Sequence, residues 1–330
     1  MKQRSAPRIA AIGGGTGLST MLRGLKHQSP HITAIVTVTD DGGSSGILRR
    51  ELGMLPPGDI RNCILALANR EPMMQEILNY RFREGSLSGQ SLGNLVLAAL
   101  NDMTGSFEQA VSLMGQVLAI TGTVLPVTNE NLILQAEFGD GSLIRGETHI
   151  TDYKKHSEAT IRRIGVDPVD PPALPEALDA IREADLVVLG PGSLYTSVIP
   201  NLLTRGVADA IRACPGVKVY VMNVMTQDGE TENYTAADHV RALQDHGGKD
   251  LFQYVLLNNR PIPEELLESY RRENAAPVPV DDDALRALGT EPVFAPVAGW
   301  RDGLIRHDPN ALGESLMKLY FANAATRTAN

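Results

Sequence analysis

Short apolar runs alternate along this sequence with segments whose apolar residues recur at helical spacing. The first run, Arg8–Ile12, has the composition of a buried parallel strand, and Leu18, Met21, Leu22 and Leu25 behind it are spaced as on one face of a helix. Similar runs predict strands at 31–39, 185–189, 217–223, 252–258 and 292–298. Helical patterns predict helices at 60–69, 71–82, 92–100, 107–120, 173–183, 235–244, 263–272 and 309–321. This alternation is typical of an α/β protein with a doubly wound, mostly parallel sheet.

The pattern changes near Gly122, where β signals follow one another without a helix between them. Three short strands are predicted there, at 124–127, 132–138 and 142–150, and Gly139–Gly141 has the composition of a hairpin turn. We therefore expect a small antiparallel insertion at about residues 122–152 of a single Rossmann-like domain that spans residues 1–330. The helix at 92–100 is apolar on nearly every side, so we expect it to be central and buried.

A glycine-rich turn, Gly13-Gly14-Gly15-Thr16-Gly17, joins the first strand to the first helix. Such a turn gathers backbone N–H groups at the positive end of a helix dipole, which favours binding of an anion, most often phosphate. No lysine follows Gly17, so the turn is not a phosphate loop of the Gly-Lys-Ser/Thr type, and Leu18 stands where the dinucleotide fingerprint has its third glycine. The alternative interpretation is a tight turn that binds no ligand.

Two further glycine-rich loops follow predicted strands. Asp40–Gly46 comes after the strand at 31–39, and Gly190-Pro191-Gly192-Ser193 comes after the strand at 185–189. Ligands of such sheets lie outside the carboxyl ends of the strands, so all three glycine-rich loops are expected to face one crevice. Asp40 and Asp41 either cap local structure, or bind a ribose or base, or hold a divalent cation near a diphosphate.

Several polar residues at helix starts are candidates for ligand contacts. Arg61 and Asn62 lie in the first turn of a predicted helix, where they either face the crevice or are simply solvated. Gly93 suggests a close approach of backbone or ligand, and Asn94 beside it could bind a ligand edge.

The carboxyl-terminal segment carries a second group of candidates, Tyr270-Arg271-Arg272 and Trp300-Arg301-Asp302-Gly303. An aromatic ring can stack on a base or sugar, and an arginine can bind a diphosphate through two parallel hydrogen bonds. We expect this segment to close the site. The alternative is that Trp300 packs in the core and Arg301 forms a surface ion pair.

Composition narrows the function classes. Of the 330 residues 43% are apolar and 21% charged, the formal net charge is −9, and no long basic run is present, which argues against a nucleic-acid-binding protein. The apolar run behind the basic start is too short for a signal peptide, and no apolar stretch reaches membrane-spanning length. Cys63 and Cys214 fit neither metal nor redox spacing. We expect a cytoplasmic protein without membrane insertion.

Six motifs together resemble the bacterial gluconeogenesis factor (YvcK/CofD-like) family over nearly the whole chain. They are Gly13–Gly17, Thr39–Gly46, Gly58–Cys63, Ser91–Asn94, Gly190–Ser197 and Asn223–Gln227. The resemblance implies a protein that binds UDP-sugars such as UDP-N-acetylglucosamine and supports growth on gluconeogenic carbon sources and cell-shape or wall homeostasis. The enzymes of the family, the 2-phospho-L-lactate transferases, use a nucleotide diphosphate donor with Mg²⁺. They carry an acidic Pro-Asp-x-Asp-type stretch where this chain has Pro57–Asn62, which favours the binding branch.

Three hypotheses follow: a nucleotide-sugar-binding regulator, a metal-dependent transferase as the alternative, and a dinucleotide oxidoreductase as the third. No motif pairs a nucleophile with a base, so no catalytic residue is assigned. No cofactor is required, but Mg²⁺ would accompany a bound diphosphate, with Asp40 and Asp41 as its candidate ligands. We also expect a homo-oligomer and a regulatory protein partner. The predicted ligand-binding residues are Gly13, Gly14, Gly15, Thr16, Gly17, Leu18, Thr39, Asp40, Asp41, Gly43, Ser44, Arg61, Asn94, Gly190, Gly192, Ser193, Asn223, Tyr270 and Arg301.

Overall fold

The computed structural model describes residues 6–69 and 72–327 of the chain. Within these residues the strands are Ile9–Gly13 (β1), Ile32–Val36 (β2), Thr123–Pro126 (β3), Ile133–Phe138 (β4), Leu143–Arg145 (β5), Ile161–Asp167 (β6), Leu186–Leu189 (β7), Val217–Val221 (β8), Tyr254–Asn258 (β9), Glu291–Ala295 (β10), Ala298–Arg301 (β11) and Leu304–His307 (β12).

The α-helices of the same residues follow in chain order. They are Gly15–Leu25 (α1), Gly43–Leu52 (α2), Gly58–Leu67 (α3), Pro72–Asn79 (α4), Leu92–Thr104 (α5), Phe107–Val117 (α6), Glu147–Lys155 (α7), Pro175–Arg182 (α8), Ile199–Leu202 (α9), Val207–Ala213 (α10), Ala236–Gly247 (α11), Glu264–Arg272 (α12), Asp282–Ala287 (α13) and Pro309–Arg327 (α14). A 3₁₀ turn lies at Gly85–Leu87 and a π-helical turn at Leu194–Val198. Residue 71, where the helix expected at 71–82 was to begin, lies outside the described residues.

Seven of these strands form one parallel sheet in the order β10-β9-β8-β7-β1-β2-β3. The central strands β1, β7 and β8 are buried at every position, because helices cover both faces of a parallel sheet and apolar side chains are needed on both. The predicted α/β, doubly wound fold is therefore confirmed. Strand order reverses between β1 and β7, and such a switch point is where doubly wound sheets form a ligand crevice.

The first and last helices pack directly against each other. A β-carbon on Gly24 of α1 would lie 1.7 Å from the carbonyl oxygen of Pro309 at the start of α14, so only glycine allows this approach. This contact places the carboxyl-terminal part of the chain beside α1, the helix that follows β1. The hairpin β11–β12 immediately precedes α14 and is therefore brought to the same place.

The antiparallel unit lies further along the chain than the expected 122–152. It is a three-stranded sheet in the order β5-β4-β6, which extends to Asp167. The strand predicted at 124–127 does not belong to it, because β3 pairs in parallel with β2 at the edge of the main sheet, with Val124 buried beneath.

A helix replaces most of the strand predicted at 142–150. Only Leu143–Arg145 is extended, and α7 follows at once. Ile150 on α7 is buried, and the ring of Tyr153 packs on Phe138 of β4 with 4.7 Å between ring centroids. Ile150 and Tyr153 are spaced so that both lie on one face of α7, and their contacts hold this helix against the antiparallel unit. The pattern of apolar residues in the sequence did not distinguish this helix from a strand.

The structure differs from the sequence-based predictions in two other places. Helix α5 is buried on one side only, and its outer side carries Met103 at 79% exposure. The hairpin β11–β12 was not predicted as strands; its turn is Asp302-Gly303, and both residues have positive φ angles of 53° and 76°. None of the helices in the part of the chain that the structure describes has the length and apolarity that a membrane crossing requires.

Candidate functional site

A cleft of about 1130 Å³ opens at the carboxyl ends of β1, β7 and β8. Its floor is formed by Gly15–Gly17 after β1, Pro191–Ser193 after β7 and Asn223 after β8. Helix α7 from the antiparallel unit, helix α12 and the hairpin β11–β12 form its walls. The cleft thus coincides with the switch point of the sheet, where three separate chain segments meet.

The first glycine loop is closely packed against its surroundings. A β-carbon on Gly14 would lie 2.7 Å from Cγ2 of Thr37, and one on Gly17 would lie 2.4 Å from the carbonyl oxygen of Pro191. Gly15 has a φ of +63°, in the left-handed region. The glycines of this first loop are therefore required by the turn itself and by its contact with the second glycine loop, whether or not a ligand is bound.

One of the N–H groups at the start of α1 already has a partner. The carboxylate of Asp59, in the first turn of α3, accepts a hydrogen bond of 2.7 Å from the backbone N–H of Gly15. Loss of hydration, and then repulsion from Asp40, raise the pKa of Asp59 to about 7. Among the described residues, no acceptor lies within hydrogen-bonding distance of the N–H groups of Thr16 and Gly17, so these two donors face the cleft.

The second glycine loop is clamped by Asn223. The side chain of Asn223 accepts a hydrogen bond of 3.3 Å from the N–H of Gly192 and donates one of 2.8 Å to the carbonyl oxygen of Gly192. This pairing connects the loop after β7 to the loop after β8.

Glu230 holds the turn that follows this loop, a role that sequence reasoning did not assign to it. Its Oε1 accepts hydrogen bonds of 2.5 Å from Ser193 Oγ, 2.8 Å from the N–H of Tyr195 and 3.3 Å from that of Thr196. Burial raises the pKa of Glu230. The available signal was the polar loop Thr226–Thr231 directly after a buried strand, but nothing in it singled out Glu230.

Asp41 connects the loop after β2 to α7. Its Oδ1 accepts hydrogen bonds of 2.9 Å from the backbone N–H and 2.7 Å from the hydroxyl of Thr148, so it caps the first turn of that helix. Asp40 accepts one of 2.9 Å from the N–H of Gly42. Neither carboxylate is among the residues that line the cleft.

Glu147, also on α7, does line the cleft. Loss of hydration, followed by repulsion from Asp40 and Asp59, raises the pKa of Glu147 to about 8, and the side chain of Thr196 acts in the opposite direction. Within the residues that the structure describes, no three His, Cys, Asp or Glu side chains are arranged to hold a metal ion.

Arg61 and Asn94 lie in a buried network behind the cleft. Arg61 donates to Ser91 Oγ and, at 3.1 Å, to Asn94 Oδ1, while Asn94 Nδ2 donates to Ser44 Oγ at 3.1 Å. These bonds join α2, α3 and α5 and support the loop after β2. Both terminal nitrogens of Arg61 have protein partners, whereas its Nε is buried without one.

Tyr270 lines the cleft and also holds the hairpin in place. Its hydroxyl accepts a hydrogen bond of 2.8 Å from the N–H of Ile305 and lies 3.4 Å from Nη1 of Arg306, which lines the cleft as well. The side chain of Arg301 is 93% exposed, pairs with Asp302 at 3.6 Å and does not line the cleft. Trp300 stacks under the guanidinium of Arg260 at 4.4 Å.

The predicted ligand-binding residues therefore fall into two groups. Those that line the cleft are Gly15, Thr16, Gly17, Gly192, Ser193, Asn223 and Tyr270. Those that lie behind or outside the lining are Gly13, Gly14, Leu18, Thr39, Asp40, Asp41, Gly43, Ser44, Arg61, Asn94, Gly190 and Arg301.

Comparison with known proteins shows similarity along nearly the whole chain. The model of the family described as 2-phospho-L-lactate transferase CofD matches residues 9–298. The gluconeogenesis factor of Bacillus subtilis is 48% identical over 314 residues, which cover 95% of this chain and 98% of that protein. That of Listeria monocytogenes is 43% identical over 320 residues, 97% of each. A crystal structure of a Bacillus halodurans protein, 44% identical, superposes with a TM-score of 0.91 and covers 95% of this chain and 100% of that one.

Proposed function

The chain belongs to the CofD-type gluconeogenesis factor family, and from that premise we propose that it binds a nucleotide sugar, such as UDP-N-acetylglucosamine, in the cleft above β1, β7 and β8. The observation that carries this proposal is the pair of N–H donors of Thr16 and Gly17, which open into the cleft at the positive end of α1. A diphosphate supplies the anionic oxygens that such donors bind.

The size of the cleft supports a ligand of this kind. Its volume of about 1130 Å³ exceeds the usual range of about 300–1,000 Å³ for small-molecule pockets, so a base, a ribose, a diphosphate and a sugar have room together. The lining carries both signs of charge: the cations are Lys155, Arg272 and Arg306, and the acidic residues are Glu147, Asp228, Glu273 and Asp302.

We infer a regulatory role, which is consistent with the names of the relatives, gluconeogenesis factors. We propose that this protein, in the cytoplasm and as a homo-oligomer, supports growth on gluconeogenic carbon sources and cell-shape homeostasis through a protein partner that senses its liganded state.

A transferase remains the second candidate, because the matching family description is that of 2-phospho-L-lactate transferase. Such a reaction needs Mg²⁺, and the donor set does not fit it well: Asp41 caps α7 through Thr148, and Asp59 accepts from Gly15. We therefore derive no step through a metal. Incubation with UDP-N-acetylglucosamine, Mg²⁺ and a candidate acceptor, followed by mass spectrometry, separates the two functions, because only the transferase consumes the nucleotide.

Calorimetric titration tests the binding function directly. We expect the purified protein to bind UDP-N-acetylglucosamine at micromolar concentration, with one site per chain, and to bind uridine much more weakly because the diphosphate contacts are missing. Failure to bind any UDP-sugar at millimolar concentration would refute the proposal.

A further inference from the structure

Ser197 occupies the junction between the two glycine loops. It lies in the π-helical turn Leu194–Val198, is only 7% exposed and lines the cleft. Its β-carbon lies 3.3 Å from the position that a β-carbon on Gly14 would occupy, and equally far from that position on Gly192. Its hydroxyl oxygen lies 3.4 Å from the corresponding position on Gly15. The side chain thus fills the space beside the start of α1.

The hydroxyl of Ser197 has no hydrogen-bond partner among the described residues, unlike the other hydroxyls of this turn. Ser193 Oγ bonds to Glu230 and to Thr196 Oγ1, both at 2.5 Å. The residue is mostly buried, but its hydroxyl oxygen is not one of the buried side-chain atoms that lack a partner, so this oxygen is accessible from the cleft. A hydroxyl that faces the cleft and has no protein partner is free to bind a ligand atom.

The backbone around Ser197 is fixed from several directions. Its N–H donates to the carbonyl oxygen of Ser193 at 3.0 Å, and its own carbonyl oxygen accepts from Asn201 Nδ2 at 2.8 Å. Glu230 binds the preceding N–H groups of the same turn. A donor held in this way loses little conformational entropy when it binds a ligand.

We propose that the hydroxyl of Ser197 donates a hydrogen bond to a phosphoryl oxygen of the bound ligand, next to the N–H groups of Thr16 and Gly17. The inference rests on the proposed nucleotide-sugar function and adds to it the residue that selects the phosphate. Two N–H donors, a hydroxyl donor and the positive end of the eleven-residue helix α1 converge here, which favours an anionic oxygen over a sugar hydroxyl.

Titration of the intact protein with two probes tests this role. Pyrophosphate reports the phosphate site alone, and UDP-N-acetylglucosamine reports the whole ligand. Because a hydrogen bond to a charged group is strong, Ser197→Ala should weaken binding of both probes by about tenfold or more. The matched control is Ser315→Ala, which removes a hydroxyl outside the cleft lining, one that donates to Ala311 O on α14; this variant should bind both probes as the wild type does.

The outcomes separate the two proposals. If wild type and Ser197→Ala bind pyrophosphate equally well, the assignment of Ser197 is wrong, and it is equally wrong if only the UDP-sugar is affected. If the wild type binds pyrophosphate but no UDP-sugar, and Ser197→Ala weakens pyrophosphate binding, the phosphate site stands while the nucleotide-sugar function fails. Binding of neither probe by the wild type overturns both.

Discussion

The carboxylate of Asp59 accepts a hydrogen bond from the backbone N–H of Gly15, 2.7 Å away, although the two residues are 44 positions apart in the sequence. An internal carboxylate therefore occupies part of the anion site that the glycine turn creates. The positive end of α1 stabilises that carboxylate, but burial and the neighbouring Asp40 act against its charge and raise the pKa of Asp59 to about 7.

This raised pKa predicts a pH-dependent stability. In the unfolded chain Asp59 loses its proton near pH 3.8, whereas in the folded protein it keeps the proton up to about pH 7. The folded state binds more protons in this window, so the stability from this group is complete below the unfolded pKa and is lost as pH rises through about 7. Asp59→Asn keeps an acceptor for Gly15 without a charge, and should flatten this part of the profile.

Urea unfolding between pH 4 and pH 8 measures the effect. The exposed residue Asp102 on α5 provides the control, because Asp102→Asn removes the same charge at an exposed site. If the Asp59→Asn protein loses stability with pH as steeply as the wild type does, the linkage to Asp59 is refuted.

A second prediction concerns the contact between the glycine loops. Gly17→Ala places a β-carbon 2.4 Å from the carbonyl oxygen of Pro191, against backbone that cannot move easily. We expect the free energy of unfolding to fall by about 1–3 kcal/mol, as for other overpacked sites. Gly165→Ala is the control, since a β-carbon there meets nothing within 4 Å. Equal midpoints of urea unfolding for the two variants would contradict the close packing.

Replacement of Gly15 by valine is not a clean test of phosphate binding at the first glycine loop. Gly15 has a φ of +63°, which strains a β-branched residue whether or not phosphate binds there. Loss of binding in that variant would therefore report backbone strain as well as obstruction, and Ser197→Ala is the cleaner probe of the phosphate site.

The central sheet could be predicted from sequence because its signal is local. A strand buried on both faces must be a continuous apolar run, as β1 and β7 are, and a glycine-rich turn after each run marks its carboxyl end. Parallel strands carry such ends to one edge, so the meeting of Gly17 with Pro191 follows from topology.

The walls of the cleft could not be predicted in this way, because they depend on distant contacts. Helix α7 begins where Asp41, 107 positions earlier in the chain, caps Thr148. The register of the hairpin β11–β12 decides which arginine of the carboxyl-terminal segment lines the cleft. Only the structure shows this register, in which Arg301 pairs with Leu304. The sequence around Arg301 is as polar as the sequence around Arg306, so polarity does not show which of the two arginines lines the cleft.

This register gives a third prediction. Arg306 lines the cleft beside the Tyr270 hydroxyl, and Arg301 lies outside the lining. Arg306→Ala should weaken binding of UDP-N-acetylglucosamine by about 1.5 kcal/mol or more, the lower range for a hydrogen bond to a charged group. Arg301→Ala, on the same hairpin, should leave affinity unchanged, because exposed ion pairs such as Arg301–Asp302 contribute little. Calorimetry that shows the reverse order would place the ligand on the outer side of the hairpin.

The last prediction concerns Glu147, the carboxyl group that α7 brings to the cleft. Burial and the nearby Asp40 and Asp59 raise its pKa to about 8, so at pH 7 Glu147 is mostly neutral and does not repel an anionic ligand. As pH rises through 8, the group becomes charged next to the expected position of the diphosphate. The diphosphate of a UDP-sugar keeps its charge in this range, so a change in the repulsion that the diphosphate meets comes from the protein.

We therefore expect the affinity of the wild type for UDP-N-acetylglucosamine to fall between pH 7 and pH 9 by about tenfold, the effect of about 1.4 kcal/mol of repulsion. Glu147→Gln removes this charge and keeps the size of the side chain, so its affinity should fall less steeply over the same range, and the fall that remains comes from Asp59, whose pKa is about 7. Glu273→Gln is the matched control, because Glu273 also lines the cleft but is exposed, and its variant should keep the pH dependence of the wild type. Calorimetric titrations at pH 7, 8 and 9 decide the matter: a slope in Glu147→Gln as steep as that of the wild type assigns the effect to another group, such as Asp59.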